Sequence, residues 1–197
     1  MELRNQTIKT LKCFDPVVDE QTEILVLGSM PGKTSLKLEQ YYAHSRNLFW
    51  QFLFTLTEAE PTTDYARRLE LLQAMKIGLW DVLAKCQRPG SLDTDIVKTS
   101  EQANDIPGLL KKYPNIHRIC FNGQKAYKCF KRYVLKKHPE FERLYDLRSL
   151  PSTSPANASI DYQTRFVCWK NALVENRIEK EVPATKALSA DGCQPQL

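Results

Sequence analysis

The sequence has no zinc or disulfide framework to organise it. Its six cysteines, Cys13, Cys86, Cys120, Cys129, Cys168 and Cys193, include no C-x-x-C pair and no histidine in ligand spacing beside them. That argues against structural zinc, and the lack of close thiolate pairing argues against an iron–sulfur cluster. Reduced, mostly buried thiols of an intracellular protein are the simple reading. The opening Met1-Glu2-Leu3-Arg4 lacks the apolar run of a secretory leader. No stretch approaches the roughly 20 apolar residues of a membrane helix. A soluble protein is therefore expected, cytoplasmic and nucleoid-associated, or nuclear in a eukaryote. There is no G-x-S-x-G elbow and no paired nucleophile and base, so a serine or cysteine hydrolase finds little support. No internal repeat is present. Strong charge of one sign is also missing: 28 Lys and Arg face 23 Asp and Glu, an excess that permits a polyanionic partner without requiring one.

What is present suits one ordinary globular domain. The chain has 197 residues, 42% of them hydrophobic and 26% charged, enough to bury a full core. Ile24-Leu25-Val26-Leu27 is a short apolar run ending at Gly28, the signature of a strand buried on both faces. Similar runs cover 116–121, ending at Asn122-Gly123, and 144–150, ending at Pro151. Between them lie helical spacings: Leu48, Phe49, Phe52, Leu53 and Leu56; then Leu69, Leu72, Met75 and Leu79. Residues 126–135 read as a helix exposing Lys125, Lys128, Lys131 and Arg132. Residues 161–178 read as a last helix with Phe166, Trp169, Leu173 and Ile178 inward. Strands alternating with helices imply a mostly parallel sheet covered on both faces. Residues 1–20 read as a leading extension, 1–180 as a single domain, and 181–197 as a flexible tail.

Open α/β sheets bind ligands beyond the carboxyl ends of their strands. Gly28-Ser29-Met30-Pro31-Gly32 stands there, a turn whose backbone N–H groups can face an oxyanion; an ordinary strand-to-helix turn would read the same. Tyr41-Tyr42-Ala43-His44-Ser45-Arg46-Asn47-Leu48-Phe49-Trp50 then packs aromatic, basic and amide groups together. Tyr42 can stack on a base, and Lys33 and Arg46 can hold phosphates. Asn47 can cap the helix beginning at Leu48 or orient a water molecule. His44 suits a hydrogen-bonded structural role as well as a pocket wall, and Phe49 and Trp50 suit the core.

These residues carry a resemblance. GSMPG followed by YYxHxRNxFW is similar to the first motif of the uracil-DNA glycosylase superfamily, and most of all to its hypoxanthine (deoxyinosine) branch. Three further stretches agree in order. Gly78-Leu79-Trp80-Asp81-Val82, with Cys86, Arg88, Gly90-Ser91 and Asp93, resembles the central block. Phe121-Asn122-Gly123-Gln124-Lys125-Ala126 resembles the segment after the third strand. Leu150-Pro151-Ser152-Thr153-Ser154-Pro155-Ala156-Asn157-Ala158 resembles the second conserved motif. The likeness runs over residues 24–169. It implies a three-layer α/β/α sandwich with a short, mostly parallel central sheet. It also implies an enzyme that excises hypoxanthine, uracil or both from DNA in base excision repair, by a scheme that requires no metal or cofactor. No lysine is placed for a Schiff base, so a monofunctional enzyme is expected, as a monomer with no obligate protein partner. Relatives carry Asn or Asp where this chain has Met30, which can neither accept a proton nor orient water. The resemblance moves that task to Asn47.

The reaction passes through an oxocarbenium-like sugar and a departing base anion. Donors are therefore expected around the base: backbone N–H groups of Ser29, Met30 and Gly123, or side chains of Asn122 or Ser91. With Gly28, Pro31, Gly32, Tyr42 and His44 these form the expected base pocket. Lys33, Arg46, Lys125 and the loop residues Ser152, Thr153, Ser154, Pro155 and Asn157 form the expected DNA contacts. Asp81 and Asp93 are read as structural hydrogen-bonding residues. Met30 also motivates an alternative, a non-catalytic module that binds nucleic acid or a nucleotide on the same scaffold.

Overall fold

The structure, a computed structural model, describes residues 9–90 and 92–174. Ser91, Ile178 and the expected tail at 181–197 lie outside the described residues. The strands are β1 (Thr10–Lys12), β2 (Ile24–Gly28), β3 (Ile77–Asp81), β4 (Leu83–Gln87), β5 (Gln102–Ala103), β6 (Arg118–Asn122) and β7 (Asp146–Leu150). The helices are α1 (Lys33–Leu38), α2 (Phe49–Thr57), α3 (Tyr65–Ala74), α4 (Ile106–Lys112), α5 (Gln124–Phe130), α6 (Phe141–Leu144) and α7 (Tyr162–Val174). A π-helical turn, Lys131–Leu135, extends α5.

The central sheet has the order β3-β2-β6-β7, and every pairing in it is parallel. All five residues of β2, β3 and β6 are buried, as expected of strands covered on both faces. Side-chain alternation divides them between two cores. Leu25, Leu27, Trp80, Ile119 and Phe121 face one core with α4 and α5; Ile24, Val26, Ile77, Leu79 and Cys120 face the other with α2, α3 and α7. This is the three-layer α/β/α arrangement that the sequence implied. Helix α2 buries Phe49, Phe52 and Leu53 completely, and burial of each such side chain is worth roughly 1.5–3 kcal/mol.

Two features depart from the sequence reading. Leu79, which fell at helical spacing after Met75, belongs to strand β3. Helix α3 stops because Lys76 takes a left-handed conformation with φ 53°, and the chain turns to pair beside β2. Gly78 is needed there: a Cβ on it would come within 2.6 Å of Val18 Cγ1. The second departure is an antiparallel sheet of order β1-β4-β5. Residues 10–12 pair with β4, and Val17 bridges to Leu79, so much of the expected leading extension is built into the fold.

The chain passes from the parallel to the antiparallel sheet at Val82. Val82 N–H donates to Gly28 O at 2.8 Å and Leu83 N–H to Ser29 O at 3.1 Å. The ladder therefore runs past the end of β2 and holds the glycine turn against the end of β3, where Asp81 is the last residue.

Candidate active site

A cavity of about 970 Å³ opens at the carboxyl ends of the parallel strands. Its walls include the turn at 28–32 after β2, the aromatic stretch around 41–47, the end of β3, Arg88 and residues 92–94 after β4, the end of β6, the loop at 151–157 after β7 and the start of α7. Gly28, Ser29, Met30, Pro31, Gly32, Lys33, Tyr42, His44, Asn47, Asn122, Gly123, Ser152, Thr153, Ser154, Pro155 and Asn157 all line it. Arg46 stands exposed between His44 and Asn47 without lining it. Lys125 does not join them: it is paired, with Arg132, to Glu101, whose side chain is fully buried and also accepts from the Tyr133 hydroxyl at 2.7 Å. One unit of the positive charge expected on the basic face of α5 is therefore offset within the protein.

Each wall has a local cause. Met30 is buried in the core with Leu25 and Leu27, so its thioether supports the turn from beneath. Arg88, itself buried, donates to Pro31 O at 2.6 Å and ties the end of β4 to that turn. Tyr42 has φ 53°, a sparsely populated conformation for a tyrosine and one that collects at functional sites. Its ring lies 4.3 Å from Phe49, centroid to centroid. The Asn47 carboxamide oxygen accepts from Phe49 N–H at 3.0 Å, so Asn47, one residue before the N-cap Leu48, holds the first turn of α2 and lines the cavity at once. His44 Nδ1 accepts from Arg46 N–H at 3.1 Å, which leaves the proton of a neutral ring on Nε2. A second cavity of about 730 Å³ adjoins the first and shares Tyr42, His44 and Asn47 with it.

The loop at 151–157 is held at several points. Asn122 donates from Nδ2 to Thr153 Oγ1 at 2.8 Å and accepts from Thr153 N–H at 2.9 Å. Thr153 O accepts from Leu48 N–H, and Pro151 O accepts from the Trp169 indole. Gly123 has φ 95°, and a Cβ there would stand 3.0 Å from Ser152 Cβ. Only glycine fits both the left-handed backbone and the close approach.

Sequence reasoning undervalued three polar residues of the cavity: Asp81, Arg88 and Asp93. Asp93 stands exposed as a residue but turns its carboxylate inward to accept from Ser29 Oγ at 2.7 Å. Asp81 is buried, and its Oδ2 has no hydrogen-bond partner. Desolvation, and next the Asp93 charge, push its pKa up to about 8 against the counter-effect of Arg88. Burial, followed by the Asp81 charge, likewise raises the Tyr42 phenol far above its usual range. The usable signal was position. Asp81 ends a buried parallel strand beside Gly28, where α/β sheets bind ligands, but reading 69–79 as helix hid that strand.

A parallel sheet whose strand ends meet the cavity-lining segments defines an α/β fold with its ligand site at the strands' carboxyl ends. A family model for the uracil DNA glycosylase superfamily matches residues 16–176. The chain belongs to that superfamily and is a DNA glycosylase. A hypoxanthine DNA glycosylase from Methanosarcina barkeri is 44% identical over 114 residues, 57% of this chain and 71% of that protein. One from Methanosarcina acetivorans is 38% identical over 150 residues, 73% of this chain and 86% of that protein. The solution NMR structure of a candidate uracil DNA glycosylase from Methanosarcina acetivorans is also similar. It superposes with a TM-score of 0.68 at 34% identity, covering 84% of this chain and 97% of that one. No helix among the described residues is long and apolar enough to cross a membrane.

Proposed function

We propose that this enzyme removes deaminated bases, hypoxanthine, uracil or both, from DNA by hydrolysing the N-glycosidic bond, the opening step of base excision repair. The supporting observation is the convergence of the glycine turn, Tyr42, Asn47, Asn122 and the 152–157 loop on one cavity at the strand ends. The two relatives named hypoxanthine DNA glycosylases favour a purine among the substrates.

A buried C1′ can be reached only when the nucleotide leaves the stack, which costs least at a weakened pair. The flipped base enters the cavity beside Tyr42. Asn47 has too little proton affinity to act as a general base. Its oxygen already accepts from Phe49 N–H, which fixes the amide, and its second lone pair can hold a water on the sugar face. Hydroxyls of Ser152 and Ser154 and the exposed Lys33 and Arg46 contact the phosphates around the lesion; Thr153, expected among these contacts, is fully buried with its hydroxyl bonded to Asn122 and holds the loop instead. The scheme calls on no metal, cofactor, Schiff base or protein partner, and a monomer carries every residue it names.

Duplexes carrying deoxyinosine or deoxyuridine, treated with the protein and then cleaved at abasic sites, test the reading. Strand breaks at one or both are expected. Asn47→Ala should slow single-turnover cleavage by about 100-fold while DNA binding persists. A folded, DNA-binding protein that releases no deaminated base refutes it.

A further inference from the structure

We infer that Asp81 is the general acid of this site, a neutral carboxylic acid that donates its proton to N7 of a purine as the base departs. The inference rests on the glycosylase reading above and adds how the leaving group is activated.

The geometry carries it. Asp81 ends β3 in register with Gly28, the last residue of β2. A Cβ on Gly28 would collide with Asp81 Oδ1 and lie 3.6 Å from the Tyr42 hydroxyl. The glycine therefore makes room for an acid and a phenol over the turn, at the floor of the cavity. Asp81 Oδ2 is buried without a hydrogen-bond partner, and the Tyr42 hydroxyl beside it, which feels the Asn122 side chain, meets none at good geometry. Buried polar atoms are nearly always satisfied, and an orphan in a pocket requires an explanation. A ligand that supplies the partner is one. A structural carboxylate would be expected to sit on N–H donors, as Asp64 and Asp105 do at helix starts. Asn104 Nδ2 donates to the Asp81 backbone oxygen, which leaves the Asp81 carboxyl Oδ2 without a donor.

The surroundings decide the protonation state. Asp93 faces Asp81 from the loop after β4 and Tyr42 and Tyr41 from the aromatic stretch; Cys13 lies near it from the segment after β1. Each of these is neutral or negative. The one opposing cation is Arg88, whose Nη2 donates to Pro31 O and whose Nε is buried without a hydrogen-bond partner. Burial beside a like charge holds the acid protonated to about pH 8, close to the working value for a proton donor.

The step balances without another reagent. The Asp81 proton passes to N7, the C1′–N9 pair goes to the base, and hypoxanthine leaves neutral rather than as an anion. Water adds to C1′, its surplus proton goes to solvent, and the Asp81 carboxylate is reprotonated as the product departs. Uracil has no N7, so this device serves a purine.

The test is single-turnover cleavage by the full chain of duplexes carrying deoxyinosine, 7-deaza-deoxyinosine, in which C–H replaces N7, or deoxyuridine, from pH 6 to 10. Wild type should cut deoxyinosine at a rate that falls about tenfold per pH unit above about pH 8. Asp81→Asn, nearly the same size, should cut it about 100-fold more slowly with a flat profile. The large advantage of deoxyinosine over its 7-deaza analogue should shrink by a similar factor in the variant, as coupling between Asp81 and N7 requires. Folded Asp81→Asn within threefold of wild type, or an undiminished 7-deaza effect in it, overturns the inference while leaving the glycosylase reading intact. Should the variant fail to fold, a wild-type rate that stays level or rises from pH 8 to 10 overturns it. Wild type inactive on every deaminated base overturns the glycosylase reading instead.

Discussion

Asp81→Asn has a second consequence, in stability, that does not depend on substrate. An aspartate in the unfolded chain titrates near 3.9, whereas Asp81 in the fold titrates at about 8. Below about pH 4 both states carry the proton and burial of the group costs nothing electrostatic. As pH rises, the unfolded chain loses its proton while the fold keeps it, so the wild type loses stability at about 1.4 kcal/mol per pH unit. The loss ends near pH 8, where the folded acid also ionises, and totals on the order of 5 kcal/mol. Asparagine does not titrate and escapes this penalty. Its amide leaves buried polar atoms unpaired, at about 1–3 kcal/mol, but that cost is the same at every pH. The difference in unfolding free energy between variant and wild type should therefore climb in favour of asparagine from pH 5 to 8. Urea unfolding of both proteins at half-unit pH steps measures it, with the slope independent of the constant offset. A difference that stays flat across that range would show that Asp81 ionises normally, and would remove the physical basis of the general acid.

Other outcomes follow from the anchors of the site. Asn122→Ala strands the N–H and hydroxyl of Thr153 and should lower unfolding free energy by about 2–4 kcal/mol, whereas Thr153→Val, which keeps one of the two bonds, should cost about half as much; chemical denaturation compares them. Gly123→Ala must adopt φ 95° against Ser152 and should cost roughly 1–3 kcal/mol, with cleavage reduced further because the 151–157 loop moves; melting and cleavage measured together check this. Lys33→Ala or Arg46→Ala should each lower the slope of log binding constant against log salt by about 1. Lys125→Ala removes a partner of Glu101 rather than of phosphate and should change the slope by less than half of that. Salt titration of duplex binding distinguishes them.

Much of the fold was legible because parallel strands buried on both faces are written as unbroken apolar runs. Ile24–Gly28 and Arg118–Asn122 could hardly be read otherwise. Strand β3 was hidden because Leu79 falls four residues after Met75, and no local pattern tells where a helix yields to a strand when a lysine rather than a glycine takes the left-handed turn at 76. Strand β1 is three residues long with one side chain half-buried, too short for alternation to register, and its pairing with β4 is entirely non-local. In the site, motif order identified the cavity walls. Lys125 was misleading because its partner Glu101 lies 24 residues away in sequence, and an ion pair across that distance leaves no spacing to read. The value of Asp81 was equally hidden, since an orphaned oxygen is a property of surroundings rather than of residue type.

The Glu101 cluster also bears on how the molecule finds a lesion. A cation already matched by a buried carboxylate releases few counterions when it meets a phosphate, so it adds little to weak, sequence-independent attraction. Sharing Glu101 between Lys125 and Arg132 takes one unit of charge from helix α5 and its extension and makes it a poorer resting surface for duplex DNA. Lys33 and Arg46 stay exposed beside the cavity. Random encounters are thereby biased toward the orientation in which a flipped nucleotide can enter. One shared carboxylate thus moves the balance of weak attraction toward the two exposed cations beside the cavity.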